Sequence, residues 1–582
     1  MENPTQSKSD TDSKPLHYSS AQKLIDEEIS RLSEEIKALS SRRNELSPIF
    51  RLPPEVICKI FEYVQDALAQ EPDPNEEEQT GYSNPHRWIK VTHVCRRWME
   101  TALSDPSLWS DVVINTHHGR RWDRESFLRA KDSRLSVRVT GIASTDLTEI
   151  SENTLIPMCL DQLQRITHLS LQGMDDAILT KLLLDAPSSS PMLTSLNLLS
   201  WSLGEPAILP STVFTDCARL RSVSIDGCAI DWGSPIFRVV NLVGLRLANI
   251  LDPYQPSLAD VLLLVENNSL LEELELRFAI SNSLDTNFPS HEIHLPRLTS
   301  LFIAATAAQT AKLISRVVYP DHVRMYIACS STDTNEANFS TLASIFSPRF
   351  PEKSIRDLKI EKFDNRLEIE ASSKALNNTQ EPEYIQPFRS LDMTYTLHNV
   401  DVPSFTLRAC RMMANMFENL ESLWIDDWTL VSLALWFEIF GSLKKLETIR
   451  LGSSSMIHLL CAMDAPSGHQ NVALPFLPSL HSLEVNGIIF DGRNSPLGLM
   501  EKTFAKRQEQ SVPIRKLTLD RCAAVSDEDI EILELDWNRL SISLSGMGRC
   551  GRRNTVDLES FHNLPHITEG TISKLAPCVF CR

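Results

Sequence analysis

The sequence predicts an α/β chain: an N-terminal helix and an all-helical module, then a leucine-rich-repeat solenoid of parallel strands with outer helices. Three observations predict it. A heptad stripe runs through residues 19–47. A compact block with paired prolines and helically spaced tryptophans follows at 48–112. From about residue 160 the pattern L-x-x-L-x-L recurs as far as Leu519, at a mean spacing of about 29 residues, the long end of the range for a strand-plus-helix repeat. At 582 residues the chain can bury a large core.

Residues 1–18 are polar and rich in Ser, Thr, Lys, Asp and Pro, so they are expected to stay disordered. A helix is expected next, with Ser19 and Gln22 at capping-box spacing. Ile25, Ile29, Leu32, Ile36, Leu39 and Leu46 then recur at heptad steps, with Arg43 in one apolar slot. Two outcomes are open for this stripe: docking on its own protein, or a coiled coil with another chain. Pro48 ends the helix.

Within 48–112, Pro53 and Pro54 sit at a helix start, where a missing N–H is tolerated. Val56 and Ile60 form one helical stripe; Ile57, Phe61 and Val64 form another. Together they are wider than one core face needs, so one stripe awaits a partner. Residues 70–86 hold five carboxylates and three prolines and read as a solvated acidic loop. A second helix is expected from Trp88 through Trp98 to Ala102, then a strand at Val112–Ile114. Residues 113–160 form a connecting segment. Its arginines at 120–138 read as a solvated helix running into a strand at Leu135–Val139.

The repeats occupy 161–545. Their middle apolar positions are 169, 196, 223, 245, 274, 301, 326, 358, 391, 423, 449, 483 and 517. One repeat cannot bury its own apolar face, so stacking builds the core. Cys228 and Cys522, three residues after a strand's last apolar position, are expected to be buried packing thiols. Strand alternation turns the residue between two core positions to the other face. Arg246, Glu275, Trp424 and Arg450 fall there and are the candidate substrate-binding residues. Trp424 either contacts a partner or packs sideways on neighbours such as Arg450. Residues 546–582 are a C-terminal cap or tail.

The net charge of −19 argues against a broad nucleic-acid-binding face. No apolar run is long enough to span a membrane, and the start of the chain has no apolar h-region. Dispersed cysteines read as reduced thiols in a cytoplasmic or nuclear protein. Gly546 to Gly551 matches G-x-G-x-x-G but lacks the surrounding βαβ pattern. Cys578 and Cys581 lack a second ligand pair at zinc spacing. No metal, cofactor or catalytic constellation is expected, and the chain is read as a non-enzyme.

Three stretches carry a family resemblance. Pro48 to Phe61 reads P-I-x-R-L-P-P-E-V-I-x-x-I-F, Trp88 to Trp98 reads W-x-x-V-T-x-V-C-R-R-W, and Ala102 to Trp109 reads A-L-x-x-P-x-L-W. They resemble the F-box of a family of proteins abundant in mushroom-forming fungi. The resemblance covers about 20–140; beyond 160 only the repeat periodicity speaks. It implies a three-helix module that binds a Skp-type adaptor and, through it, the cullin and RING subunits of an SCF ubiquitin ligase. The repeats would then bind a protein substrate, and the chain would carry no catalytic residues. Leu52, Pro53, Glu55, Val56 and Ile60 would contact the adaptor, with Val94, Trp98 and Trp109 holding the fold or joining the contact. The acidic insertion departs from the family pattern. The alternative is an interaction scaffold without ubiquitin transfer.

Overall fold

The computed structural model describes residues 15–70, 86–115, 120–140, 155–200, 205–281, 291–320, 322–329, 355–363, 366–373, 390–396, 402–426, 433–465, 475–487, 496–522 and 541–545. The acidic loop, the G-x-G-x-x-G stretch and the terminal cysteine pair lie outside them.

The chain forms two units, one reaching from the N-terminus to Ala305 and taking in Lys312–Pro320, the other holding Thr306–Ala311 and the residues from Asp321 onward. The first opens with α1, Pro15–Glu45. It starts five residues earlier than the Ser19 cap predicts, because Pro15 is itself a good first helical residue. Every side chain from Gln22 to Leu39 is exposed, so among the described residues nothing of its own protein buries the stripe. α2, Pro54–Gln70, follows. The expected second helix is broken: a 3-10 helix runs Arg87–His93, Cys95 is extended, and α3 covers Arg96–Ser104. The β-branched Val91, Thr92 and Val94 weaken a continuous helix, and the Thr92 hydroxyl bonds the Ile89 carbonyl at 2.7 Å.

A parallel sheet then builds in chain order. β1 is Asp111–Asn115, β2 Leu135–Thr140, β3 Ile166–Met174, β4 Ser195–Ser200, β5 Ser222–Asp226, β6 Gly244–Ala248, β7 Glu273–Arg277 and β8 Ser300–Ala305. Each pairs in parallel with the next. The strand of the helical module and that of the connecting segment are therefore its first two strands. Leu169, Leu196, Val223, Leu245, Leu274 and Leu301 are all buried. Helix α4, Arg120–Arg129, is not simply solvated, since Asp123, Ser126 and Phe127 are buried. The helix Leu258–Glu266, capped by Ser257 and Asp260 in a reciprocal capping box, is one of the outer helices.

The strand ends share a device that the apolar pattern does not encode. Gly227, Asn249 and Phe278 each follow a strand with positive φ. Their N–H groups donate to Ala248, Arg277 and Ala304, the last or next-to-last residue of the neighbouring strand. Gly227 is required: a Cβ there would lie 2.3 Å from the Ser200 carbonyl oxygen. The turn drops Cys228 inward, to 1% exposure, as its position predicts.

The second unit carries β9 Arg324–Cys329, β10 Asp357–Phe363, β11 Arg366–Ser372, β12 Ser390–Thr396, β13 Ser422–Asp426, β14 Thr448–Gly452, β15 Ser482–Asn486, β16 Lys516–Asp520 and β17 Ser541–Ser545. Two details differ from simple stacking. The core positions of β9 are Met325 and Ile327, with Tyr326 on the other face, a slip of one residue from the predicted register. The spatial order also runs β9-β12-β11-β10-β13, with β11 antiparallel to both neighbours. From β13 to β17 the order is again sequential and parallel. Cys522 is buried after β16.

Candidate adaptor-binding surface

The segment Pro48–Arg51 is a 3-10 turn, and Leu52 and Pro53 lead from it into α2. The Pro53 carbonyl accepts from the N–H groups of Val56 and Ile57, closing the first turn. The two apolar stripes of α2 separate at its first turns, while Val64, the third residue of the inner stripe, is half-buried. Ile57 and Phe61 are 0% exposed, whereas Val56 is 42% exposed and Ile60 half-buried. Pro53 and Glu55 are exposed and Leu52 is half-buried. Tyr63, seven residues after Val56, continues the outer stripe at 74% exposure. It escaped the sequence reading although it sits at helical spacing.

The core beneath fixes this surface. Trp98 meets Phe61 edge-on at 5.3 Å between ring centroids. Arg97 donates to the carbonyls of Phe50 and Leu52, the latter at 2.6 Å, and its guanidinium stacks 5.1 Å from the Phe50 ring. The loop before α2 is thus pinned to α3. His86 and Asp123 lie 2.9 Å apart and tie the 3-10 helix to α4.

Of the residues expected to hold the fold or join the contact, Trp109 and Val94 divide between the two roles. Trp109 is 2% exposed, so it is a core residue and not part of the surface. Its indole N–H donates to Ala102 at 2.7 Å, Trp88 packs on it at 5.0 Å and Arg129 lies over it at 4.7 Å. Val94, at 59% exposure, is outward because the helix breaks there; Met99 and Leu103 on α3 are exposed as well.

Asp105 caps the turn before Trp109, accepting from the Ser107 N–H at 2.9 Å. Burial pushes its carboxyl up, but the bonds from Ser107 and Cys58 outweigh it and hold the group below the ordinary carboxylate range. Burial, aided by the nearby Asp105, pushes the Cys58 thiol up to about 12.

The four candidate substrate-binding residues divide between the units. In the first, Arg246 lies 3.2 Å from Asp226 and 3.5 Å from Glu275, which also holds Arg277 at 2.8 Å. In the second, Trp424 is half-buried on the face opposite Leu423 and Ile425. Lys359 approaches its ring at 4.5 Å from one neighbouring strand and Arg450 at 4.0 Å from the other. Arg450 also lies 3.1 Å from Glu484. Trp424 therefore packs sideways on its neighbours. Glu361, Glu368 and Glu370 cluster beside it, and Lys359 bridges two of them at 2.8 and 3.0 Å, so an ammonium already supplies the positive charge there.

No helix among the described residues is long and apolar enough to cross a membrane. Residues 49–115 match the F-box-like family model. No curated protein matches the chain. Among solved structures, InlP of Listeria monocytogenes is 10% identical, with 52% of this chain and 94% of that chain covered and a TM-score of 0.19. An internalin-like protein of the same organism is 10% identical over the same shares, with a TM-score of 0.18.

Proposed function

We propose that this chain is the substrate-recognition subunit of an SCF-type ubiquitin ligase. Its F-box-like segment, residues 49–115, binds a Skp-type adaptor and, through it, the cullin and RING subunits. The observation that carries this reading is the divided helix α2. One stripe, Ile57 and Phe61, is fully buried, while Pro53, Val56 and Tyr63 are presented to solvent with Ile60 partly so. A small unit that keeps an apolar stripe outside its own core has a surface suited to a protein partner. Leu52, Pro53, Glu55, Val56, Ile60 and Val94 form the contact, and Trp98 supports it from below.

The strands of the repeat region serve as the substrate-binding part. Their polar faces carry side chains on rigid strands, so docking loses little ordering entropy. The chain brings substrate and ligase together and performs no chemistry itself. Affinity purification of the tagged full chain with mass spectrometry tests this. Recovery of adaptor with cullin and RING subunit is expected. Adaptor without cullin would point to a scaffold without ubiquitin transfer, and recovery of neither would contradict the reading.

A further inference from the structure

We propose that α1 pairs with α1 of a second copy of this chain as an antiparallel two-stranded coiled coil. The helix has 31 residues, about 46 Å at 1.5 Å per residue. Its apolar stripe lies in water: Ile25 is 60% exposed, Ile29 56%, Ile36 64% and Leu39 60%. With Ile29, Ile36 and Arg43 as the a positions and Ile25, Leu32, Leu39 and Leu46 as the d positions, the stripe has knobs-into-holes spacing.

The charges say which partner covers it and in which direction. From Lys23 to Ile36 there are five carboxylates and two cations; from Lys37 to Glu45 there are three cations and one carboxylate. Each half of the helix complements the other half, so an antiparallel second copy matches along the whole length. One register fills the core layers along the helix: Ile29 opposite Leu39 of the second copy, Leu32 opposite Ile36 and Ile25 opposite Arg43, with Gln22 meeting Leu46 just past the helix end. Arg43 then lays its methylene stem on an isoleucine. In a parallel pair it would meet the same arginine at the core.

The flanking positions agree. Glu28 faces Arg42 of the second copy, twice by symmetry, and among the described residues Arg42 has no carboxylate partner in its own chain. One like-charge meeting, Glu35 with itself, falls at the dyad, where Arg31 of the same helix is 3.6 Å away. In a parallel pair the flanks would be Glu28 against Ser33 and Glu35 against Ser40, with no charge attraction. The antiparallel arrangement also sends the two segments that follow Pro48 to opposite ends of the coil.

Light scattering on the full chain across the micromolar range tests the pairing. Twice the chain mass is expected, and Ile29→Asp with Ile36→Asp should give a monomer whose tryptophan-fluorescence melt matches wild type, because both side chains are exposed in the single chain and α1 holds no Trp. A monomeric wild type, or a dimer that survives the double substitution, overturns the proposal. Orientation is read by charge reversal. Glu28→Lys should weaken the dimer roughly tenfold, and adding Arg42→Glu should restore it. The restoration reports the pair between chains, since the lost bond from Arg31 to Glu28 is not replaced. No effect of the reversals on dimer affinity would overturn the antiparallel arrangement.

Discussion

Arg97 holds the Leu52 carbonyl at 2.6 Å and stacks on Phe50, so α3 sets where the outer stripe of α2 begins. Hydrogen bonds from a charged donor contribute about 1.5–3 kcal/mol. Arg97→Ala is expected to lower the stability of the helical module by about that amount. Arg97→Lys should recover only part of it, because an ammonium lacks the planar guanidinium that stacks on Phe50 while it donates to both carbonyls. Chemical denaturation followed by tryptophan fluorescence checks both; equal stability of the three proteins would refute the role.

The buried thiols should be inert. Burial, with nearby Asp176 and Asp226, pushes Cys228 up to about 12, and burial alone does the same for Cys410. The thiolate is the nucleophile, so alkylation of both at neutral pH should be far slower than in the unfolded chain. The folded value lies above the ordinary 9.0. The neutral thiol therefore favours the folded state below pH 9, and this contribution fades as pH rises toward 12. Mass spectrometry after pulse alkylation reads the protection, and rapid native labelling of Cys228 would contradict it.

The indole of Trp424 is held between two cations from flanking strands. Cation–π contacts contribute about 0.5–2 kcal/mol each, so Trp424→Ala should destabilise its strand by about 2 kcal/mol. Hydrogen exchange across Ser422–Asp426 should speed up accordingly, while exchange across Ser222–Asp226 stays as it was. Unchanged exchange at Ile425 would show that the stacking contributes nothing. Trp424→Phe, which keeps a ring, should fall between the two.

Arg507 is a second buried organiser. It is 2% exposed and donates to the carbonyls of Phe476, Leu477 and Leu480 at 2.7, 2.9 and 2.9 Å. Burial pulls its guanidinium down to about 10. Arg507→Ala leaves those carbonyls without their donor and is expected to cost about 3 kcal/mol. A thermal shift no larger than that of an exposed control such as Arg515→Ala would refute this.

Most strands were legible because burying one face forces alternation, and Leu423 with Ile425 or Leu483 with Val485 spells it out. β11 was not, because Arg366–Ser372 carries its core residues Leu367, Ile369 and Ala371 without the L-x-x-L-x-L frame. Its clue was plain alternation just after Asp364-Asn365, turn-favouring residues between two strands. At β9, Met325, Tyr326 and Ile327 are all hydrophobic, so either register looked apolar and only burial separates them. On the candidate surface, Val56 and Ile60 were legible from helical spacing. For Trp109 the choice between fold and contact needed the structure, because a motif position does not say whether a tryptophan faces a partner or its own core.

The most direct test of the adaptor surface is calorimetric titration of the purified chain with a Skp-type adaptor. Val56→Asp with Ile60→Asp changes the outer stripe and leaves Ile57 and Phe61 in place. Wild type should bind one adaptor per chain, and the double variant, melting as wild type does, should bind at least about 100-fold more weakly, since two anchors of about 2 kcal/mol each are lost. Equal affinity of a folded double variant, or no binding by the wild type, would contradict the account.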